Sequence, residues 1–175
     1  MSRPYIYCPQ CGQTLQMVHT GGMQRNACVT PECGFVQWDN PVPVVAAIVE
    51  HEGKVLLARN IAWPKDWYAL ITGFLERGED PVTGVMREVK EELDLEPQCA
   101  NFVGIYEFRR MNQLIIAYHV PATGTVKLNE ELNDYKYETF EEARYWDAGT
   151  GYALRDWLRG KGFDPKTVDW VRGAG

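Results

Sequence analysis

The stretch Gly73–Leu95, GFLERGEDPVTGVMREVKEELDL, decides how the rest of the chain is read. Asp80 followed by Pro81 is a helix start. A short acidic side chain can accept from the free N–H groups of a first turn, and proline is tolerated at the first helical position. The spacing predicts a helix from about Pro81 to about Asp94. On it Val82, Val85, Met86, Val89 and Leu93 share one side and are expected to face a core. Glu88, Glu91 and Glu92 fall on another side, with Gly84 one turn earlier. Three carboxylates within one turn repel one another by about 0.2–0.5 kcal/mol per exposed pair. Arg87, four residues before Glu91, offsets only part of that repulsion. For REVKEEL alone the plain reading is a solvated acidic face; the competing one is an edge built to hold a cation.

The wider spacing favours the second reading. Gly73, Glu79, Arg87-Glu88, Glu91-Glu92 and Leu95 stand at the separations of the box that marks the Nudix hydrolases, which this chain resembles. The six identities other than the apolar Leu95 would coincide by chance roughly once in 10^7 start positions at average residue frequencies. Two departures stand out: the family pattern has Gly where this chain has Asp94, and it commonly has Pro-Gly-Gly where this chain has Ile71-Thr72-Gly73. Neither removes a carboxylate. The chemistry is sensible without the name, because the negative oxygens of a diphosphate repel a nucleophile and an acidic helix would add to the repulsion unless divalent ions intervene. Mg²⁺ takes a few carboxylates, waters and substrate phosphates, and then polarises the phosphoryl group. The resemblance implies Glu88, Glu91, Glu92 and the main-chain carbonyl of Thr72 as ligands of Mg²⁺ or Mn²⁺, with Glu79 supporting the site, through Arg87 among other routes.

A chain of 175 residues, 45% apolar, can bury one good core and carry a small appendage. It contains no apolar run of membrane-spanning length, and MSRPYIYCPQ lacks the apolar region of a signal peptide. The expectation is a soluble, cytoplasmic protein with no membrane partner. A formal charge of −6 and a pI of about 5.1 repel polyanions, so a nucleotide-sized substrate is expected rather than nucleic acid.

Cys8-Pro-Gln-Cys11-Gly12 and Cys28-Val-Thr-Pro-Glu-Cys33-Gly34 are two cysteine pairs, each closed by glycine. They read as four thiolates around one structural Zn²⁺. Two disulfides or a redox pair are the alternatives, the former disfavoured in a cytosolic protein. Residues 1–38 are accordingly expected to form a zinc ribbon and 39–175 the main domain. Arg3 and Arg25 against Glu32 and Asp39 leave the ribbon neutral, which argues against phosphate tracking. Packing against the main domain or across a homodimer is the expected use. His19 is read as solvated and Cys99 as a buried thiol.

In the main domain, VPVVAAIVE and GKVLLAR read as a hairpin around a solvated His51. Trp67–Ile71 reads as a third strand, and Phe102–Phe108 and Leu114–Val120 as strands flanking Arg109-Arg110. Lys127–Phe140 is expected to be a mobile polar loop, EEARYWD a last strand, and the end an amphipathic helix with Tyr152, Leu154, Trp157 and Leu158 on its apolar side. Arg109, Arg110 and Trp63 are candidate substrate contacts, as a diphosphate clamp and a base-stacking face. Trp67 is expected in the core. This is an α/β pattern with a mixed sheet between helices, in agreement with the α/β/α sandwich that the Nudix resemblance implies.

In family members a general base comes from the box or from a downstream loop. Glu88 is the box candidate here; Glu130, Glu131, Glu138 and Glu141 are loop candidates, with Glu138 and Glu141 ranked slightly ahead. A ribbon joined to a Nudix domain also resembles NADH pyrophosphatases and a group of FAD and ADP-ribose pyrophosphatases. The Ser-Gln-Pro-Trp run of the NADH enzymes is absent, so ADP-ribose or FAD is favoured over NADH, with release of AMP. The alternatives are a sanitiser of nucleoside triphosphates and a non-catalytic nucleotide-sensing module.

Overall fold

The computed structural model describes residues 5–168; Arg3, counted above in the ribbon's charge, lies outside them. The chain divides into two compact units, one of residues up to Pro41 with Arg110–Asn112, the other of Val42–Arg109 and Gln113 onward.

In the first unit β1 (Gln16–Thr20) and β2 (Met23–Ala27) pair antiparallel about Gly21-Gly22. On either side of this hairpin lies a cysteine-bearing turn: the Gly12 N–H donates to the Cys8 carbonyl at 2.8 Å and the Cys33 N–H to that of Thr30 at 3.2 Å. Among the described residues of this unit, Cys8, Leu15 and Ala27 are the buried apolar ones. So small a core needs a further source of stability.

The second unit is a mixed sheet between two helices. Its centre is β3 (Val42–His51), parallel to β8 (Gln113–Thr123) and antiparallel to β5 (Ile71–Phe74) and the start of β4 (Lys54–Asn60). Beyond β4 lies β9 (Leu132–Glu138); beyond β8 lie β6 (Glu96–Pro97) and β7 (Asn101–Phe108), all antiparallel to their neighbours. Because both faces of β3 are covered, its apolar residues run without alternation. Val44, Ala46 and Ile48 pack toward α2 (Thr150–Gly160) with Ala153, Leu154, Trp157 and Leu158. Val45, Ala47 and Val49 pack toward α1 (Pro81–Leu93) with Val85, Val89 and Leu93.

Several expectations are corrected by packing. Val82 is 41% exposed, because the buried side of α1 begins later, at Gly84 and Val85. The ladder before α1 covers Ile71–Phe74 rather than Trp67–Ile71, since Ala69 makes a lone bridge to Ala58 and Trp67 stays 38% exposed. Lys127–Phe140 is not one mobile loop: Leu132–Glu138 is an edge strand on β4, with Asp134 and Lys136 engaging Tyr68. EEARYWD is not a ladder strand; Tyr145 bridges Thr167 alone. His51 is buried, bonded through Nδ1 to the Tyr137 hydroxyl at 2.6 Å and through Nε2 to the Gly124 carbonyl at 3.1 Å. Because a carbonyl only accepts, Nε2 carries the proton and Nδ1 accepts from Tyr137. Cys99 is exposed. No helix among the described residues is long and apolar enough to cross a membrane.

Helix α1 begins as expected, with Asp80 accepting from the N–H groups of Val82 and Thr83. Its end explains the departure at Asp94. This residue is left-handed, φ 54°, a conformation that glycine adopts most easily and Asp tolerates. Its carboxylate pairs with Lys90 and Lys127 at 2.9 and 3.2 Å. Asp94→Ala should therefore lower stability by about 1 kcal/mol, and Asp94→Gly by less, in denaturant titration.

Candidate active site and cysteine cluster

The acidic helix is organised by one guanidinium. Arg87 Nε and Nη2 donate to the two oxygens of Glu79 at 2.8 and 3.1 Å, and Nη1 to Glu88 and Glu91, both at 2.8 Å. Nη2 also meets the Phe74 carbonyl at 3.2 Å. Arg87 thus ties the end of β5, the loop before α1 and two helix carboxylates together. The guanidinium holds Glu79 below its usual range, and Glu79 in turn accepts from the Glu76 N–H at 3.1 Å. Gly84 leaves room for it: a Cβ there would come within 3.0 Å of Glu79 Oε2. Gly73 is required by closer contact still, because a Cβ would lie 1.8 Å from Glu88 Oε1. The first glycine of the box is the floor on which the Glu88 carboxylate rests.

Glu88 and Glu92 differ from Glu79. Burial raises Glu88 despite Arg87. Glu92 is only 8% exposed, and among the described residues no hydrogen bond or ion pair reaches its carboxylate, whose oxygens are not wholly closed off from solvent. Burial, together with the charges of Glu88, Glu131 and Glu91, pushes it up to about 8. An unpartnered buried carboxylate beside other acids is costly unless protonated or met by a cation. Hard carboxylate oxygens of this kind suit Mg²⁺ or Mn²⁺, and Arg87, paired with Glu88 and Glu91, leaves Glu92 without a countercharge.

Glu131 is the loop acid whose charge reaches both Glu88 and Glu92. Backbone bonds carry it there: the N–H groups of Lys127 and Asn129 donate to the carbonyls of Leu93 and Glu92 at 2.9 and 3.2 Å. The turn before β9 therefore satisfies carbonyls that the end of α1 leaves open. Glu138 is otherwise engaged, pairing with Lys136 at 2.6 Å and accepting from the Arg144 N–H. Glu141 is exposed in the following turn. The backbone bonds that bring this turn to the end of α1 join segments distant in sequence.

Thr72 stands on β5 opposite Ala46. Arg109 is 84% exposed and pairs with Glu107 at 2.9 Å. Arg110, also exposed, groups with the first unit. Trp63 is 40% exposed in the loop after β4.

In the first unit the sulfurs of Cys8, Cys11, Cys28 and Cys33 lie within 4.8 Å of one another. Cys8–Cys33 and Cys11–Cys28 are 3.6 and 3.5 Å apart, and all four are free thiols. Tetrahedral zinc with bonds near 2.3 Å requires sulfur separations of about 3.8 Å, so the set can hold that ion. Hydrogen bonds from Thr30 hold Cys28 down at about 6. Cys33 goes to about 12, the backbone of Phe35 favouring its thiolate but burial and the neighbouring sulfurs prevailing. Four thiolates so close need a cation to coexist.

The NUDIX domain family pattern matches residues 39–158, and the chain belongs to that family. Among curated relatives, the NAD-capped RNA hydrolase NudC of Pseudomonas aeruginosa strain LESB58 is 30% identical over 134 residues, 75% of this chain and 46% of that protein. NudC of Vibrio atlanticus strain LGP32 is 28% identical over 139 residues, 78% of this chain and 50% of that protein. The chain thus spans about half the length of these relatives. Among solved structures, a NUDIX hydrolase from Nitrosomonas europaea superposes with a TM-score of 0.75 at 22% identity, covering 94% of this chain and 97% of its own. An ADP-ribose pyrophosphatase from Streptococcus suis 89-1591 gives 0.58 at 17%, covering 74% and 100%. At these identities the structures show the fold.

A pH dependence follows from Glu92. Its value in the folded chain lies above the ordinary carboxylate value, so between about 4.5 and 8 the folded state holds a proton that the unfolded state has released. Stability of the metal-free protein should fall as pH rises through that window. Glu92→Gln should melt about 3 °C or more above the wild type at pH 8 in EDTA and level with it near pH 4; equal melting at pH 8 would remove the premise.

Proposed function

We propose that the chain is a divalent-metal-dependent Nudix pyrophosphatase that splits the diphosphate bridge of an ADP-linked small molecule, of the ADP-ribose or FAD class, releasing AMP. The observation that carries this reading is the buried, unpartnered Glu92 carboxylate beside Glu88 and Glu91. Glu88, Glu91 and Glu92, with the Thr72 carbonyl, would hold Mg²⁺ or Mn²⁺. When bound, that ion supplies Lewis acidity and neutralises phosphate charge at the bridge. Arg87 and Glu79 hold the carboxylates in place. Glu131 is the acid we assign to accept a proton from an attacking water, a reading supported by its charge raising both Glu88 and Glu92 and by the engagement of Glu138 with Lys136 and the Arg144 N–H. Trp63, Arg109 and Arg110 are candidate contacts to the nucleotide.

The curated relatives are named for NAD-capped RNA, which brings NAD-type diphosphates back as a second reading. The net charge of −6 speaks against a polymer substrate. A panel of ADP-ribose, FAD, NADH, NAD, NAD-capped RNA and nucleoside triphosphates, with Mg²⁺ or Mn²⁺ and then EDTA, should show AMP released from ADP-ribose or FAD and no turnover in EDTA. Cleavage of NAD-type ends in preference selects the second reading. Pyrophosphate released from triphosphates alone selects a sanitising enzyme, and no turnover on any of them a nucleotide-sensing module. Glu92→Gln should cut the active reaction by about 100-fold or more.

The cysteine cluster is proposed to hold one structural zinc, closed and without catalytic work. Elemental analysis should return one zinc per chain, and chelation should unfold the first unit while the main domain's thermal transition persists. Four oxidised thiols in a metal-free protein would refute this.

A further inference from the structure

The seam between β4 and β9 contains an irregularity that the family resemblance does not account for. Arg59 pairs with Asp134 and the next residue, Asn60, with Leu132, so Asn133 is an extra residue bulged out of β9. Bulges re-aim side chains and recur beside active sites. This one lies two residues beyond Glu131. Arg59 holds it: Nε donates to Asn133 Oδ1 at 2.8 Å, and Nη2 lies 3.6 Å from Asp134 Oδ2, which accepts from the Tyr68 hydroxyl at 2.6 Å. Its third nitrogen, Nη1, donates to the Lys65 carbonyl at 2.7 Å, in the loop after β4. That loop is joined to the turn a second time by the Ile61 N–H, which donates to the Glu131 carbonyl at 2.9 Å. The Glu131 N–H is taken by Asn129 Oδ1 at 3.0 Å.

We propose that Arg59 is a positioning residue that locks the Asn133 bulge and the Lys65 loop into one clasp, and so fixes the direction of Glu131 toward the acidic helix. The fork geometry favours arginine: Nε and Nη1 donate to acceptors on two segments while Nη2 keeps an ion pair with Asp134, and a lysine ammonium in its place lacks that planar spread of donors. The Arg59 side chain is 16% exposed, although its partners Asn133 and Asp134 lie nearer the surface. A displacement of about 1 Å in a catalytic group is enough to cost roughly 10²-fold in rate.

The inference rests on Glu131 as the proton acceptor, and a double-mutant cycle separates the two claims. Arg59→Lys and, as a milder variant, Asn133→Ala are measured with the most rapidly cleaved substrate of the panel, alone and combined with Glu131→Gln. Both should lower kcat, by about 10-fold or more for Arg59→Lys, with KM unchanged. In the Glu131→Gln background neither should lower it further. In hydrogen exchange, the Ile61 and Glu131 amides should exchange faster in Arg59→Lys, with those of β3 unchanged. Wild-type kcat for Arg59→Lys, or losses that multiply with that of Glu131→Gln, overturns the clasp and leaves the base assignment standing. Wild-type kcat for Glu131→Gln overturns both. If no panel substrate is cleaved, unchanged exchange at Ile61 and Glu131 overturns the clasp and faster exchange retains it.

Discussion

The geometry of this molecule hangs on the Arg87 guanidinium. Five donors in one plane meet two oxygens of Glu79, one each of Glu88 and Glu91, and a main-chain carbonyl at the end of β5. Without that fork the loop from Phe74 to Asp80 would have little to hold it against the helix. The arrangement is also selective in what it leaves undone. Glu92, one residue beyond Glu91 and only 8% exposed, receives nothing from Arg87, and burial with the neighbouring acids pushes it up to about 8. A folded chain tolerates such a group where function needs it; a polar side chain left unpaired in the interior is otherwise selected against.

The second constraint is the open end of α1. The last carbonyls of a helix must find donors, and here two of them, those of Glu92 and Leu93, take N–H groups from Asn129 and Lys127. The helix terminus is therefore a docking point for the segment that leads into β9. Asp94 completes it, turning the chain into the left-handed region and collecting two lysines on its carboxylate. The segment that arrives by this route brings a further acid, Glu131, whose charge raises both Glu88 and Glu92. That accumulation makes sense around a divalent ion and phosphate oxygens, where the sum of charge is what binds and orients.

On the opposite face the chain does ordinary structural work. Lys161 lies over Phe140 and Trp157 and approaches Glu50, which also meets His119 at 2.8 Å. These contacts fasten α2 to the sheet and lie on the other core from the acidic helix, which leaves the α1 side free for chemistry. In the first unit the division of labour is simpler: a hairpin with almost no apolar interior depends on four sulfurs coming together.

By itself the sequence determined the helix Pro81–Leu93, its cap, the four carboxylates and the arginine between them, the two cysteine pairs, and strands β3, β4, β7 and β8. All are local: each follows from spacing along a few turns of chain or from an unbroken apolar run. Only the tertiary structure decided that Leu132–Glu138 is a strand, because a polar edge such as LNDYKYE carries no periodic signal and becomes a strand by pairing with β4. The same holds for His51, buried by Tyr137 and Gly124 from 86 and 73 residues away, and for Glu138, held by Lys136 and the Arg144 N–H. Side chains brought together by backbone hydrogen bonds between distant segments leave no mark on the residues nearby in sequence, because the donors and acceptors that join them are common to every residue but proline.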